Sequence, residues 1–316
     1  MGASCRPRPR APTGCLSPCP PQYGPVAYHK QSLANLEAAV AATGIPCATV
    51  VDVMGRELTV RRVTRLDANG WPVIPDSVDV AAGTSVTVTP REDAVLSPTI
   101  LPIAFQGLAS MVAPGDQLFV GRYLVNGAET SSLYLDVKEV RGADVVCAAT
   151  NDATLSGMLT VIHADGGGEG GMSAAQASLP LFGADDLAAL ADIAASHPVD
   201  FLALTYTISA DDVATARDAL DACGLSSTKI IAKVENRAAL LALGDILAAA
   251  DAVCVSRGNL GLDVPAPKMA AVQKAAIAAC NHAGEKIGER RGGRWRKVFG
   301  GRHRPHPYLF LSQANP

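Results

Sequence analysis

The apolar positions between Val26 and Ala283 change their period twice, and each change marks a different kind of element. Leu33, Leu36 and Val40 fall three and four residues apart, the spacing of one helical face, so a helix is predicted over Gln31 to Thr43, with Gly44 placed to end it. A strand is predicted next, over Cys47 to Val53. From about Val63 to Val161 the pattern becomes short β-branched runs split by Gly, Pro and Asn, as in Thr84 to Thr89, Gln117 to Val120, Leu133 to Val137 and Val145 to Cys147. These runs predict a separate all-β module. Gly166 to Gly171, interrupted by Glu169, reads as a flexible connector.

From about Leu179 strand and helix alternate. Phe201 to Tyr206 is an apolar strand; Ser209 and Asp212 form a capping box for a helix carrying Val213, Ala216 and Leu220; Gly224 closes it. The unit then repeats: a strand over Lys229 to Glu235, a helix over Arg237 to Ala250, a strand over Ala252 to Val255, and a helix over Pro265 to Ala283 opened by its proline. Units of this length predict a parallel sheet and, where the sheet closes, a (β/α) barrel.

The two ends break the pattern. Residues 1–25 are rich in Arg and Pro and poor in acids, which reads as a disordered leader, with an organellar transit peptide as the lesser alternative. Residues 287–316 crowd Arg290, Arg291, Arg294, Arg296, Lys297, Arg302 and Arg304 into a Gly-rich tail without apolar periodicity, which reads as an aberrant or unfolded C-terminus, with a nucleic-acid-binding tail as the lesser alternative. The net charge of -3 argues against a general nucleic-acid binder, and no apolar run reaches the roughly 18 residues a membrane-spanning helix needs. The chain therefore reads as soluble, with no nucleic-acid or membrane partner. None of the eight cysteines forms a Cys-x-x-Cys pair; Cys47, Cys147, Cys223, Cys254 and Cys280 sit among apolar residues as free thiols of a reducing compartment.

Candidate chemistry lies at the ends of two predicted strands. In Lys229 to Asn236 the strand period of two puts Ile231, Lys233 and Glu235 on one side, with the two charges last, at the C-terminal rim where parallel barrels build their sites. A structural ion pair explains Lys233 and Glu235 equally well when the segment is taken alone. One unit later Ser256-Arg257-Gly258-Asn259-Leu260-Gly261 follows a strand as a glycine-flanked loop whose amides can approach an anion. Neighbouring parallel strands would let Glu235 and Asn259 give two oxygens to one hard cation such as magnesium, with Lys233 facing the anion on it. His29, His163, His197 and His282 lack metal-ligand spacing, and no nucleophile elbow, P-loop or dinucleotide fingerprint is present.

Lys229 to Asn236 (KIIAKVEN), Ser256 to Pro265 (SRGNLGLDVP) and Gln273 to Gly284 (QKAAIAACNHAG) together resemble the pyruvate kinase family, and Asn259 in place of the more usual Asp resembles its plant and algal cytosolic branch. The resemblance extends in order from about Val26 to Lys286, through Val51 to Leu58 (VDVMGREL), Gly115 to Gly127, Leu133 to Leu155 and Leu179 to Gly224. It implies an α/β fold, an incomplete (β/α)8 TIM barrel whose first part spans residues 26–62 and second part 173–286, with an inserted small β-barrel lid and its connector at 63–172. It implies a cytoplasmic, glycolytic transferase that moves a phosphoryl group from phosphoenolpyruvate to ADP, giving pyruvate and ATP, with magnesium and potassium as cofactors. By the same resemblance Glu235 and Asn259 hold magnesium, Lys233 stabilises the migrating phosphoryl group, the amides of Gly258 and Asn259 hold the substrate carboxylate, Asp52 is a potassium ligand, and Glu57 occupies the position that accompanies potassium dependence. The sequence departs from the family at Val53, Arg56 and Thr207-Ile208, where Thr, Pro and an aromatic or Cys followed by Arg are usual. The family's opening strands are not matched by residues 1–25, nor its last two barrel strands and C-terminal domain after Lys286. The chain is thus expected to be truncated at both ends. Two further readings follow: a non-catalytic remnant or partner subunit of other pyruvate kinase chains, and a magnesium-dependent phosphoenolpyruvate/pyruvate-type lyase, which leaves the lid unexplained.

Overall fold

The computed structural model describes residues 13–16, 26–45, 47–62, 65–68, 72–73, 76–121, 131–157, 159–164, 174–282, 286–291, 294–299 and 308–312. The glycine-rich connector at 166–171 lies outside them.

The larger sheet has eight strands in the order Thr13–Leu16, Ala48–Val53, Phe201–Leu204, Lys229–Val234, Ala252–Ser256, Tyr308–Ser312, Lys286–Arg291 and Arg294–Phe299. The first seven run parallel, and the last pairs antiparallel with its neighbour. Strand period two sorts the side chains onto two faces. Ile230, Ala232 and Val234, with Val51, Val53, Leu202, Leu204, Val253 and Val255, face the helices and pack against Leu33, Leu190, Ile193, Val213, Leu220 and Ile246. Ile231, with Val50, Ala203, Ala252 and Cys254, faces the inside of the curl. The helix Val26–Thr43 begins five residues before the predicted Gln31, because Val26 also packs against the helix-side core.

The sheet curls until residues of Thr13–Leu16 come within 8 Å (Cα to Cα) of Arg294–Phe299, so the barrel is nearly closed without being a regular (β/α)8 array. Two features make it incomplete: the strand after Ser256 in the sheet is Tyr308–Ser312 and not the next in sequence, and the last strand is antiparallel. The ends correct the sequence reading. Thr13–Leu16 lies in the stretch read as a disordered leader, and three strands lie in the stretch read as an unfolded tail. Edge strands pair through backbone N–H and C=O groups, and this pairing needs no side-chain periodicity to announce it.

The inserted module is a β barrel. Its seven strands run in the order Leu58–Thr59, Thr160–Ala164, Gln117–Gly121, Ser132–Arg141, Asp144–Ala149, Ser85–Thr89 and Ile100–Pro102. A bridge between Val60 and Ile103 joins the two edges, backed by Arg61 N–H to Pro102 O at 2.7 Å and Ala104 N–H to Thr59 O at 3.0 Å. Closure removes exposed sheet edges. Inward-facing Val86, Val88, Leu118, Val120, Leu133, Leu135, Val145, Cys147 and Val161 fill the interior. Pairing starts at Leu58, five residues ahead of the predicted boundary at 63.

Three local expectations are also corrected. The stretch predicted as one helix over Arg237 to Ala250 is two, Arg237–Leu241 and Leu243–Ala249, broken at Ala242 (φ −93°, ψ 10°) next to Gly244, whose backbone freedom weakens a helix. Ser256 to Gly261 is not a loop: residues Arg257–Asp263 are helical. The capping box at Ser209 is half made, since Ser209 Oγ accepts the Asp212 N–H at 3.4 Å while the Asp212 carboxylate is engaged elsewhere.

Candidate active site

Four chain segments deliver polar side chains to the C-terminal rim of the curled sheet. Leu204 pairs with Val53 on one side and Ala232 on the other, so the next residue, Thr205, comes level with Lys233. The Lys233 ammonium lies 3.2 and 3.3 Å from Asp52 Oδ1 and Oδ2, 3.0 Å from Thr205 Oγ1 and 3.5 Å from Glu235 Oε1. Glu235 is 2 % exposed, and both its oxygens accept hydrogen bonds: Oε1 from the Asn259 side-chain amide at 2.8 Å, Oε2 from the Tyr206 backbone N–H at 2.8 Å. Thr205 Oγ1 lies 3.2 Å from Asp52 Oδ1 and hydrogen-bonds the Val53 carbonyl. The strand period thus brings Lys233 and Glu235 to one side, and Asn259 joins them from the short helix beyond the next strand.

Burial and charge compete at this cluster. Burial raises the Glu235 carboxyl above its ordinary range, against the Lys233 ammonium and the Tyr206 amide, which favour its ionised form. Burial alone would lower Lys233, but the carboxylates of Asp52, Glu235 and Glu57 overcome it and hold the ammonium above its usual range. One lysine thus faces two carboxyl groups within 3.5 Å, an arrangement in which a second cation would be favourable.

Beside the cluster, where the chain leaves the sheet, Arg56 fastens the turn at Tyr206. Its guanidinium makes a bidentate pair with Asp212 (Nη1 to Oδ2 2.9 Å, Nη2 to Oδ1 2.8 Å) and donates to the carbonyls of Tyr206 (3.1 Å) and Leu179 (2.8 Å). Asp212 Oδ2 also accepts the Ile208 N–H at 2.8 Å. Next along, Glu57 Oε1 accepts from Thr160 Oγ1 at 2.5 Å, so the glutamate read as a companion of potassium binding contacts a lid strand.

Gly258 and Asn259 stand in the first turn of the helix Arg257–Asp263 rather than in a loop. Thr205, Tyr206, Arg56 and Asp212 escape the sequence reading. Tyr206 has a left-handed backbone (φ 52°), a conformation costing a non-glycine residue about 1–3 kcal/mol that no residue pattern signals. Arg56 did carry a signal: a charged residue just after the apolar strand predicted over Cys47 to Val53, where the resembling family has Pro, needs a buried partner or open solvent.

A family model, the pyruvate kinase barrel domain, matches residues 22–288. The chain belongs to the pyruvate kinase family. It is 39% identical over 264 residues to "Pyruvate kinase 2, cytosolic" of Oryza sativa (subspecies indica), an alignment covering 83% of this chain and 47% of that protein. It is 27% identical over 265 residues to the pyruvate kinase of Dictyostelium discoideum, covering 84% of this chain and 47% of the relative. Among solved structures, Cryptosporidium parvum pyruvate kinase superposes with a TM-score of 0.70 at 23% identity, covering 88% of this chain and 53% of that one. The same protein in complex with ADP gives 0.68 at 22% identity, covering 87% and 50%. This pyruvate kinase family chain therefore spans about half the length of the curated relatives it matches. The matched span contains every rim residue described above, and family membership sets the lyase reading aside.

Proposed function

We propose that the chain acts as a pyruvate kinase, moving the phosphoryl group of phosphoenolpyruvate to the β-phosphate of ADP and yielding ATP and, after protonation of the enolate carbon, pyruvate. The observation that carries this reading is the rim cluster of Asp52, Lys233, Glu235 and Asn259, linked by contacts of 3.5 Å or less beside a closed β-barrel lid. Phosphoryl transfer asks a protein chiefly for positioning and for positive charge where phosphoryl oxygens pass. Lys233 supplies that charge, and Asp52 and Thr205 fix the direction of its ammonium. The resemblance gives the Gly258 and Asn259 amides to the substrate carboxylate, and ADP as co-substrate is supported by the ADP complex of the Cryptosporidium parvum relative.

Magnesium would fit this cluster once the Asn259 amide turns, since its N–H and not its oxygen now faces Glu235 Oε1. A buried carboxylate raised by desolvation, beside an amide side chain on a neighbouring element, is an oxygen-bearing pair that a hard cation would stabilise, and Glu235 and Asn259 would hold it. When bound, magnesium neutralises phosphoryl oxygens and orients the transferring group. Potassium fits less well at Asp52, because both carboxylate oxygens already face the Lys233 ammonium within 3.3 Å. Cytoplasmic residence is proposed on the cytosolic rice relative. Among the described residues no helix is long and apolar enough to cross a membrane.

A second reading, a non-catalytic chain that associates with other pyruvate kinase subunits, is favoured by Asn259, which brings no charge to the cation position, and by the irregular strand order after Ser256. Titration with manganese(II), followed by electron paramagnetic resonance as a magnesium probe, separates the two. The catalytic reading predicts a single tight site that Glu235→Gln weakens by about tenfold or more, since ligand charge sets affinity. The result against it is manganese binding unchanged by Glu235→Gln.

A further inference from the structure

Tyr206 belongs to the rim and to the lid at once. Its backbone N–H donates to Glu235 Oε2 at 2.8 Å, and its carbonyl accepts from Arg56 Nη1 at 3.1 Å. Its side chain forms a buried cluster with Phe119 and Ile162 of the lid. Those two residues are directly paired across neighbouring antiparallel strands, so they present one surface to the ring. Phe119 is in turn packed edge-on against Tyr134, with ring centroids 5.4 Å apart, on the next lid strand.

The left-handed backbone explains why a tyrosine can do both jobs. At φ 52° the chain reverses after Leu204, and it holds there because ring, amide and carbonyl are each fixed by a different part of the molecule. The Tyr206 hydroxyl is buried, with the Asn259 side chain as its polar neighbour. Burial first, and then the field of Glu235, Glu57 and Asp263, raises its titration well above the ordinary tyrosine range and keeps it neutral. The linkage to the lid runs through the ring, and the linkage to Glu235 through the amide.

We propose that Tyr206 is a positioning residue that couples the lid to Glu235, so that displacement of the Phe119–Ile162 pair displaces the amide holding Glu235 Oε2. The consequence for cation binding rests on the reading of Glu235 given above. The coupling itself belongs to the unliganded chain.

Hydrogen–deuterium exchange of the full-length chain without ligand tests it, read on the lid segments 117–121 and 160–164. Glu235→Ala should speed exchange there about fivefold or more, the size of an ordinary coupling between sites. Tyr206→Phe, which keeps ring and amide, should leave that response intact. Tyr206→Gly, which suits the left-handed backbone and keeps the amide but removes the ring, should abolish it. An equal response to Glu235→Ala with Tyr206 and with Gly at that position, or no response with Tyr206, would overturn the proposal. If Glu235→Ala does not fold, Phe119→Leu supplies the reciprocal reading: faster exchange at the Tyr206 amide supports the coupling, and unchanged exchange refutes it. Manganese(II) titration of the same variants keeps the two ideas apart. Intact lid coupling in a chain that binds no manganese would sink the cation reading and leave the coupling standing.

Discussion

Glu235 has neighbours that pull its charge in opposite directions, and the balance sets how the protein responds to pH. Its folded carboxyl is raised above the unfolded value by burial, so the folded state binds the proton more tightly. Stability therefore falls as pH rises from the ordinary carboxylate range through the folded titration, the reverse of a salt-bridged acid. Denaturant melts across pH 4 to 8 should show this fall in the metal-free chain and lose much of it in Glu235→Gln. Lys233 has the opposite balance: removing it leaves the half-buried Asp52 and the buried Glu235 with no cation between them. Lys233→Ala should cost about 3–5 kcal/mol of stability in the same melts. Lys233 and Glu235 were legible because a strand alternates strictly and both are odd-numbered neighbours of the inward-facing Ile231. Thr205 and Tyr206 were not, because their placement depends on a reversal after Leu204 that the apolar run through Tyr206 hid under a longer predicted strand.

Arg56 acts at the scale of elements, where two crossings between sheet and lid are fastened to one turn. It stands on the outgoing crossing, its guanidinium reaches the Leu179 carbonyl on the returning one, and Asp212 anchors it to the helix Ala210–Ala222. Arg56→Ala would leave the Asp212 carboxylate, 7 % exposed, without its bidentate partner, at a cost of about 3–5 kcal/mol in chemical denaturation. Within the lid, burial pushes the Cys147 thiol up to about 12. Thiol-reactive reagents at pH 8 should therefore modify Cys147 at the rate of lid unfolding, and rapid labelling of Cys147 itself, read by peptide mass spectrometry, would contradict the closed barrel. The predicted β-branched runs all fall in lid strands, since alternation with a filled interior is a strong local signal. The break at Ala242 and the helix Arg257–Asp263 carry weaker signals. In the second, glycines at 258 and 261 look like loop residues, although helical backbone admits them at a cost of about 1 kcal/mol each.

At the scale of the whole molecule, the barrel and its inserted lid follow from alternating periodicities, and the strands at both edges of the larger sheet do not. Thr13–Leu16 and the strands beyond residue 285 are recruited by the unpaired backbone of their neighbours, a demand set by the folded sheet and invisible in local composition. The resulting order places Tyr308–Ser312 next to the strand that leads into Asn259, and whether that arrangement supports turnover is the point on which the catalytic and non-catalytic readings divide. The most direct test is a coupled assay of pyruvate formation from phosphoenolpyruvate and ADP with magnesium, on the purified chain and its Lys233→Ala variant. The account predicts turnover that Lys233→Ala reduces by about a hundred- to a thousandfold, the scale lost with a principal charge-stabilising group. A folded chain with no turnover, or with turnover unchanged by Lys233→Ala, would contradict it.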